Sequence, residues 1–136
     1  MSGYSGAPLS KKLGIKEGNK ILIRNAPENY ETLLAPLPDA VRLSTNASKD
    51  LQMVHLFTRS RRELENQLPD YIKSIRQDGM IWVSWPKKSS KVPTDITEDV
   101  VRAVALPLGL VDVKVCAIDE IWSGLKLVIR KENRNK

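Results

Sequence analysis

Asp95, Asp119 and Glu120 are carboxylates of the kind that could divide acid–base work between them. Lys87 and Lys88 open a basic loop behind the apolar run Met80-Ile81-Trp82-Val83-Ser84-Trp85. No nucleophile or histidine accompanies these carboxylates, and ion pairs to the lysines account for them equally well, so no residue is assigned a catalytic role. Binding suits the residue types better. Thr94 and Asp95 stand at a helix start, where backbone amides favour an anion. Trp85 and Trp122 can supply apolar walls. The expected ligand-binding set is therefore Trp85, Lys87, Lys88, Thr94, Asp95, Asp119, Glu120 and Trp122, around a small molecule carrying phosphate or carboxylate. The same residues also read as helix caps, solvated lysines and tryptophans that close a core.

The other reactive types narrow the chemistry. A single cysteine, Cys116, excludes an intramolecular disulfide and a multi-cysteine metal site. The single histidine, His55, excludes a His-rich one. Neither a metal nor a cofactor is expected. His55 lies inside an apolar strand and reads as a hydrogen-bonded core residue. Cys116 sits mid-strand and reads as an inert buried thiol. The net charge of +6 is spread along the chain, from Lys11, Lys12, Lys16 and Lys20 to the Arg130–Lys136 tail. It accompanies no nucleic-acid recognition motif, so solubility explains it and nucleic acid is not expected as a partner. No apolar run approaches the roughly 18–20 residues of a membrane helix. Met1-Ser2-Gly3-Tyr4 has neither the basic start nor the apolar middle of a signal peptide, so a cytoplasmic location is expected.

Elements of two kinds must position the candidates. Leu9, Leu13 and Ile15 predict a short docked helix ended by Gly14. Strands are predicted over 20–24, 41–45, 51–57, 80–85, 111–118 and 125–131. Asn29 is expected to cap a helix over 30–35. A capping box, Ser60-Arg61-Arg62-Glu63, starts a helix carrying Leu64, Leu68, Ile72 and Ile75. Pro69 predicts a kink or break in it. A further helix over 95–106 carries Val100, Val101, Val104 and Ala105 on its apolar face. The whole reads as one domain, 1–136, with an N-terminal arm over 1–18 and a frayed tail over 132–136.

Strands alternate with helices, which argues a mostly parallel sheet covered on both faces. The last two strands are joined too tightly for a crossover and form an antiparallel hairpin. The C-terminal edge of such a sheet would gather Asn25, Thr58, Arg59 and Ser60 with the binding set. Alternation puts Trp82 and Trp85 on opposite faces, Trp82 in the core and Trp85 at the rim. A free edge strand could pair between copies, which allows a homo-oligomer.

From Leu51 onward the chain resembles the second half of a class I S-adenosylmethionine-dependent methyltransferase. The resemblance runs through an apolar strand, a helix, the Asp78-Gly79 turn, a second apolar strand, a helix, the Gly109-Leu110 turn and a reversed hairpin. It implies an α/β three-layer sandwich with a Rossmann-like sheet in the order 2-1-3-4-6-5. Residues 3–130 are also similar to a family of small bacterial proteins built on a domain of unknown function. That likeness is carried by Gly3-Tyr4-Ser5-Gly6, Leu13-Gly14-Ile15, Trp82-Val83-Ser84-Trp85-Pro86-Lys87, Pro93-Thr94-Asp95 and Val113-Lys114-Val115-Cys116; it implies a fold and no activity. The methyltransferase pattern is departed from at two places. Asn25-Ala26-Pro27-Glu28-Asn29 lacks the glycines that let backbone approach a cofactor. Thr45-Asn46 stands where those enzymes carry a ribose-binding acid. An active methyltransferase is thus not expected. The resemblance also asks the chain to return from Thr45 to Leu51, a link that reaches about 20 Å. The resulting expectation is a non-catalytic binding protein of the bacterial cytoplasm, taking a small anionic ligand or a protein partner at the C-terminal edge. A degenerate or unusual transferase and a nucleic-acid accessory protein are the alternatives.

Overall fold

The computed structural model describes residues 8–134. A six-stranded sheet runs in the order β2-β1-β3-β4-β6-β5. Its strands are β1 (Lys20–Arg24), β2 (Arg42–Ser44), β3 (Leu51–Phe57), β4 (Ile75–Pro86), β5 (Leu110–Ala117) and β6 (Trp122–Ile129). The first four are parallel, and β6 runs antiparallel to both β4 and β5. The order, the parallel body and the closing hairpin agree with expectation.

Helices cover both faces. α3 (Arg61–Ser74) and α4 (Glu98–Ala105) press Leu64, Leu68, Tyr71, Val101 and Val104 onto Leu56, Ile81, Val83 and Leu127. α1 (Leu9–Leu13) and α2 (Tyr30–Leu34) lie on the other face with Met53, Phe57, Trp82 and Ile118. Leu9, Leu13 and Ile15 are buried, as expected of a short docked helix: Leu13 is fully buried, and its carbonyl accepts the Trp82 Nε1–H at 2.9 Å. Trp82 and Trp85 do fall on opposite faces. The Gly3-Tyr4-Ser5-Gly6 segment lies outside the described residues.

Several local expectations are corrected. α3 continues through Pro69 to Ser74, because Leu64, Leu68 and Tyr71 anchor it to the sheet on both sides of the missing N–H. Ile75 then belongs to β4, which starts opposite Leu51 and is irregular before Met80. Gly79 sits in that irregularity, where a Cβ would come within 3.0 Å of the Leu51 and Arg76 carbonyl oxygens. α4 begins at Glu98 rather than Asp95, capped by Thr97, whose Oγ1 accepts the Val100 N–H at 3.2 Å. Asn29 makes no side-chain cap to α2.

β2 pairs with β1 over Lys20–Arg42 to Leu22–Ser44. The register explains how so short a link suffices. Ser44 stands level with Val54 of β3, so the chain falls back only about three residues, roughly 10 Å, while crossing β1. Arg24 Nη1 donates to Thr45 O at 2.7 Å and fixes the start of that crossing. At the opposite edge β5 is bulged between Asp112 and Lys114, with Val113 and Val115 exposed. Among the described residues no helix is long and apolar enough to cross a membrane.

Candidate functional site

β1 hands its chain to β2 on one side, whereas β3 hands its chain to β4 on the other. The C-terminal ends of β1 and β3 therefore flank the switch point of the sheet, where a crevice is topologically required. A cleft of about 660 Å³ lies there, lined by Asn25, Phe57, Thr58, Arg59, Ser60, Glu63, Pro93 and Trp122.

Each wall has a local origin. Asn25 ends β1 with φ +59, and its Nδ2 donates to Phe57 O at 3.3 Å, tying the two strand ends together. The Phe57 ring meets Trp122 edge-on, with centroids 5.0 Å apart. Beneath it His55 stacks on Phe57 at 4.3 Å. His55 is fully buried, with Nδ1 at 2.7 Å from the Tyr30 hydroxyl and Nε2 at 2.7 Å from Ser84 Oγ. It is the core histidine the sequence predicts. Burial pushes its pKa down to about 3 and raises that of Tyr30, so both are neutral in the folded protein near pH 7.

The hydroxyls and the helix end at this cleft are already engaged. Ser60 Oγ accepts the Glu63 N–H at 3.2 Å, and Thr58 Oγ1 accepts the Ser60 N–H at 3.2 Å, so Glu63 does not close the reciprocal half of the capping box. Asp95 supplies the largest correction. Its Oδ1 accepts the Arg61 N–H at 2.7 Å, filling the N-terminus of α3 from 34 residues away. The N-terminus of α3, which faces the cleft, is thus met by a carboxylate of the chain itself. Thr94 holds the same loop down, donating from Oγ1 to Arg59 O at 2.8 Å.

The expected binding residues separate in space. Of them, only Trp122 lines the cleft. Trp85 is 7% exposed and packs with the α3/α4 core, so it forms no rim wall. Its position at the penultimate residue of β4 looked peripheral, but the backbone at Lys87 is still tied inward, its N–H donating to Ile121 O at 2.7 Å. Lys88 is exposed on a 3-10 turn, Lys88–Ser90. Asp119 Oδ1 accepts the Ile121 and Trp122 N–H groups at 2.8 and 2.7 Å, which makes it the organiser of the β5–β6 turn. Glu120 is exposed beside it. Asn25, Thr58, Arg59 and Ser60, expected at this edge, do line the cleft, whereas Phe57 and Pro93 were missed because they meet only once β3, β6 and the 87–97 loop are assembled. Cys116 is half-buried, and its burial raises the thiol pKa. Among the described residues no group of His, Cys, Asp or Glu is arranged to hold a metal ion.

The residues where the resemblance implies an adenosyl cofactor do not fit one held in that manner. Asn25 adopts the left-handed backbone a glycine would take, yet its amide lies across the strand ends. Beyond β2, Ser44 Oγ accepts the Asn46 N–H at 3.0 Å and Arg24 holds Thr45 O, where a carboxylate would be needed.

No family model matches the chain. Among curated proteins, likewise, none matches. Solved structures do share the fold. A SAM-dependent methyltransferase from Aquifex aeolicus aligns with a TM-score of 0.61 at 14% identity, covering 88% of this chain and 87% of its own. A TehB-like SAM-dependent methyltransferase from Corynebacterium glutamicum aligns with a TM-score of 0.56 at 11% identity, covering 90% and 85%. A protein of the NADB-Rossmann superfamily from Streptococcus agalactiae gives 0.52 at 11% identity, covering 93% and 69%. At these identities the likeness establishes a methyltransferase-like Rossmann fold.

Proposed function

We propose that the protein binds a small anionic ligand in the switch-point cleft, without catalysis, in the bacterial cytoplasm. One observation carries this reading. At the cleft the hydroxyls of Thr58 and Ser60 and the Arg61 and Glu63 amides of α3 are engaged by the chain, whereas the exposed Arg59 makes no ion pair among the described residues and lines the cleft with Trp122. A guanidinium beside an indole suits a ligand with a carboxylate or phosphate on a planar or apolar body. Titration calorimetry against a panel of small carboxylates and phosphates tests it. A ligand should emerge whose affinity drops about tenfold or more in both Arg59→Gln and Trp122→Ala, a loss of about 1.4 kcal/mol. A panel in which every binder ignores both substitutions would reject the cleft.

The second reading is a degenerate or unusual transferase, favoured by the fold neighbours described as SAM-dependent methyltransferases. Saturable binding of S-adenosylmethionine that Arg59→Gln or Asn25→Gly alters would favour it over the first.

A further inference from the structure

The opposite end of the sheet carries a second cleft, of about 470 Å³, lined among others by Lys16, Asn19, Gln52, Arg76, Asp78 and Lys126. Lys126 comes from β6, on the face shared with α1. Its Nζ lies 3.7 Å from the place a Cβ on Gly14 would occupy, so the ammonium rests against the end of α1. Directly opposite it in the β5–β6 ladder stands Lys114, another cation. Like charges in that position oppose each other, and a chain normally avoids them or supplies a carboxylate. Here no salt bridge reaches Lys16, Lys114 or Lys126 among the described residues. Partial burial and the neighbouring Lys114 and Lys16 lower the Lys126 pKa.

The neutral residues of this cleft point the same way. Asn19 Oδ1 accepts the Lys16 N–H at 2.9 Å, and Gln52 Oε1 accepts the Lys20 N–H at 2.6 Å. With both amide oxygens committed to backbone, each residue offers its NH2 as the remaining group. The one carboxylate, Asp78, is already paired with Arg76 Nε at 3.3 Å. The cleft is therefore rich in donors and positive in balance.

From this juxtaposition we propose that Lys16, Lys126 and the amides of Asn19 and Gln52 form a binding site for a small phosphate-bearing molecule at the N-terminal edge of the sheet. Donors brought together from β3, β6 and the loop between α1 and β1 suit the multiple oxygens and charges of a phosphate better than a single carboxylate. The site is separate from the switch-point cleft, which shares no lining residue with it.

Inorganic tripolyphosphate, titrated into the full chain at low ionic strength, tests the assignment. Saturable one-to-one binding should weaken about tenfold in Lys126→Gln and again in Lys16→Gln. Arg59→Gln, in the other cleft, should leave it unchanged, so the two sites fail independently. Lys16 is exposed between α1 and β1, so its substitution tests binding without touching the core. No saturable binding, or an affinity indifferent to both lysines, would overturn the site. So would single-stranded oligonucleotides that bind increasingly with length and are not displaced by tripolyphosphate, since the patch would then be a nucleic-acid surface.

Discussion

At the C-terminal end of the sheet the chain meets its own polar groups, whereas at the N-terminal end it leaves cations facing one another. The first end holds Asp95 on the amide of Arg61, Ser60 on Glu63, Asp119 on the β5–β6 turn and Asn25 across two strand ends. The second holds Lys114 opposite Lys126 with Lys16 nearby, and no carboxylate pairs with any of them among the described residues. The conventional binding end of this fold has thus been largely self-satisfied, and the uncompensated electrostatics have moved to the other end. Substitutions that upset either arrangement show how far the contrast holds.

The largest effect should come from severing the link between the ends. Trp82 is fully buried in β4 and holds α1 through the Leu13 carbonyl. Trp82→Ala should cost about 3–5 kcal/mol by urea denaturation, from lost burial and the cavity left behind. It should also weaken tripolyphosphate binding, because α1 and Gly14 back the Lys126 ammonium. A variant that is destabilised yet binds normally would show that α1 plays no part in the N-terminal-edge cleft.

Acid should strain the C-terminal end next. His55 titrates at its ordinary value of 6.5 when unfolded and at about 3 when folded. Between those values the unfolded chain carries the extra proton, so stability falls as pH drops through that window and is unaffected by His55 above it. The slope approaches about 1.4 kcal/mol per pH unit. Denaturation midpoints measured from pH 7 to pH 4 should follow it in the native protein. A His55→Gln variant, less stable at pH 7, should show a flatter profile; an equal slope would remove His55 as its source.

Removing the self-supplied anion is a milder change. Asp95→Ala should cost about 1 kcal/mol, the usual scale for a lost helix cap. It also frees the Arg61 amide at the start of α3. Phosphate should then stabilise the variant more than it stabilises the native chain. Equal phosphate dependence in the two would mean that Asp95 does not occupy an anion site.

The contrast between the ends also marks what the sequence could convey. The parallel body and the closing hairpin followed from the alternation of elements and from the tight Asp119–Gly124 connection, both of which are local, whereas the strand order came from the resemblance to the methyltransferase fold. The sides taken by Trp82 and Trp85 followed from the two-residue period of a strand. The role of Asp95 was illegible, because Thr94 and Thr97 are equally plausible caps in one short stretch and Asp95 acts on a helix 34 residues away. Arg59 was seen at the strand ends, but not that its backbone would bind Thr94 while its side chain stayed unpaired. Lys16 read as part of a solubilising charge spread along the chain, and Lys114 and Lys126 were not singled out, since only the β5–β6 register and the placement of α1 bring the three together.

The smallest change isolates that register. Lys114→Glu places an opposite charge across from Lys126 without altering the core, since position 114 is exposed. The cross-strand pair should then contribute about 0.2–1 kcal/mol where it now repels. Added salt should stabilise the native chain by screening the repulsion and stabilise the variant less, or reverse in sign. The new carboxylate would also compete for Lys126, so tripolyphosphate affinity should fall even as the denaturation midpoint rises. Stability and binding moving in opposite directions is the signature of cations kept apart from carboxylates for a ligand. If both moved together, or neither moved, the cluster would be ordinary surface charge.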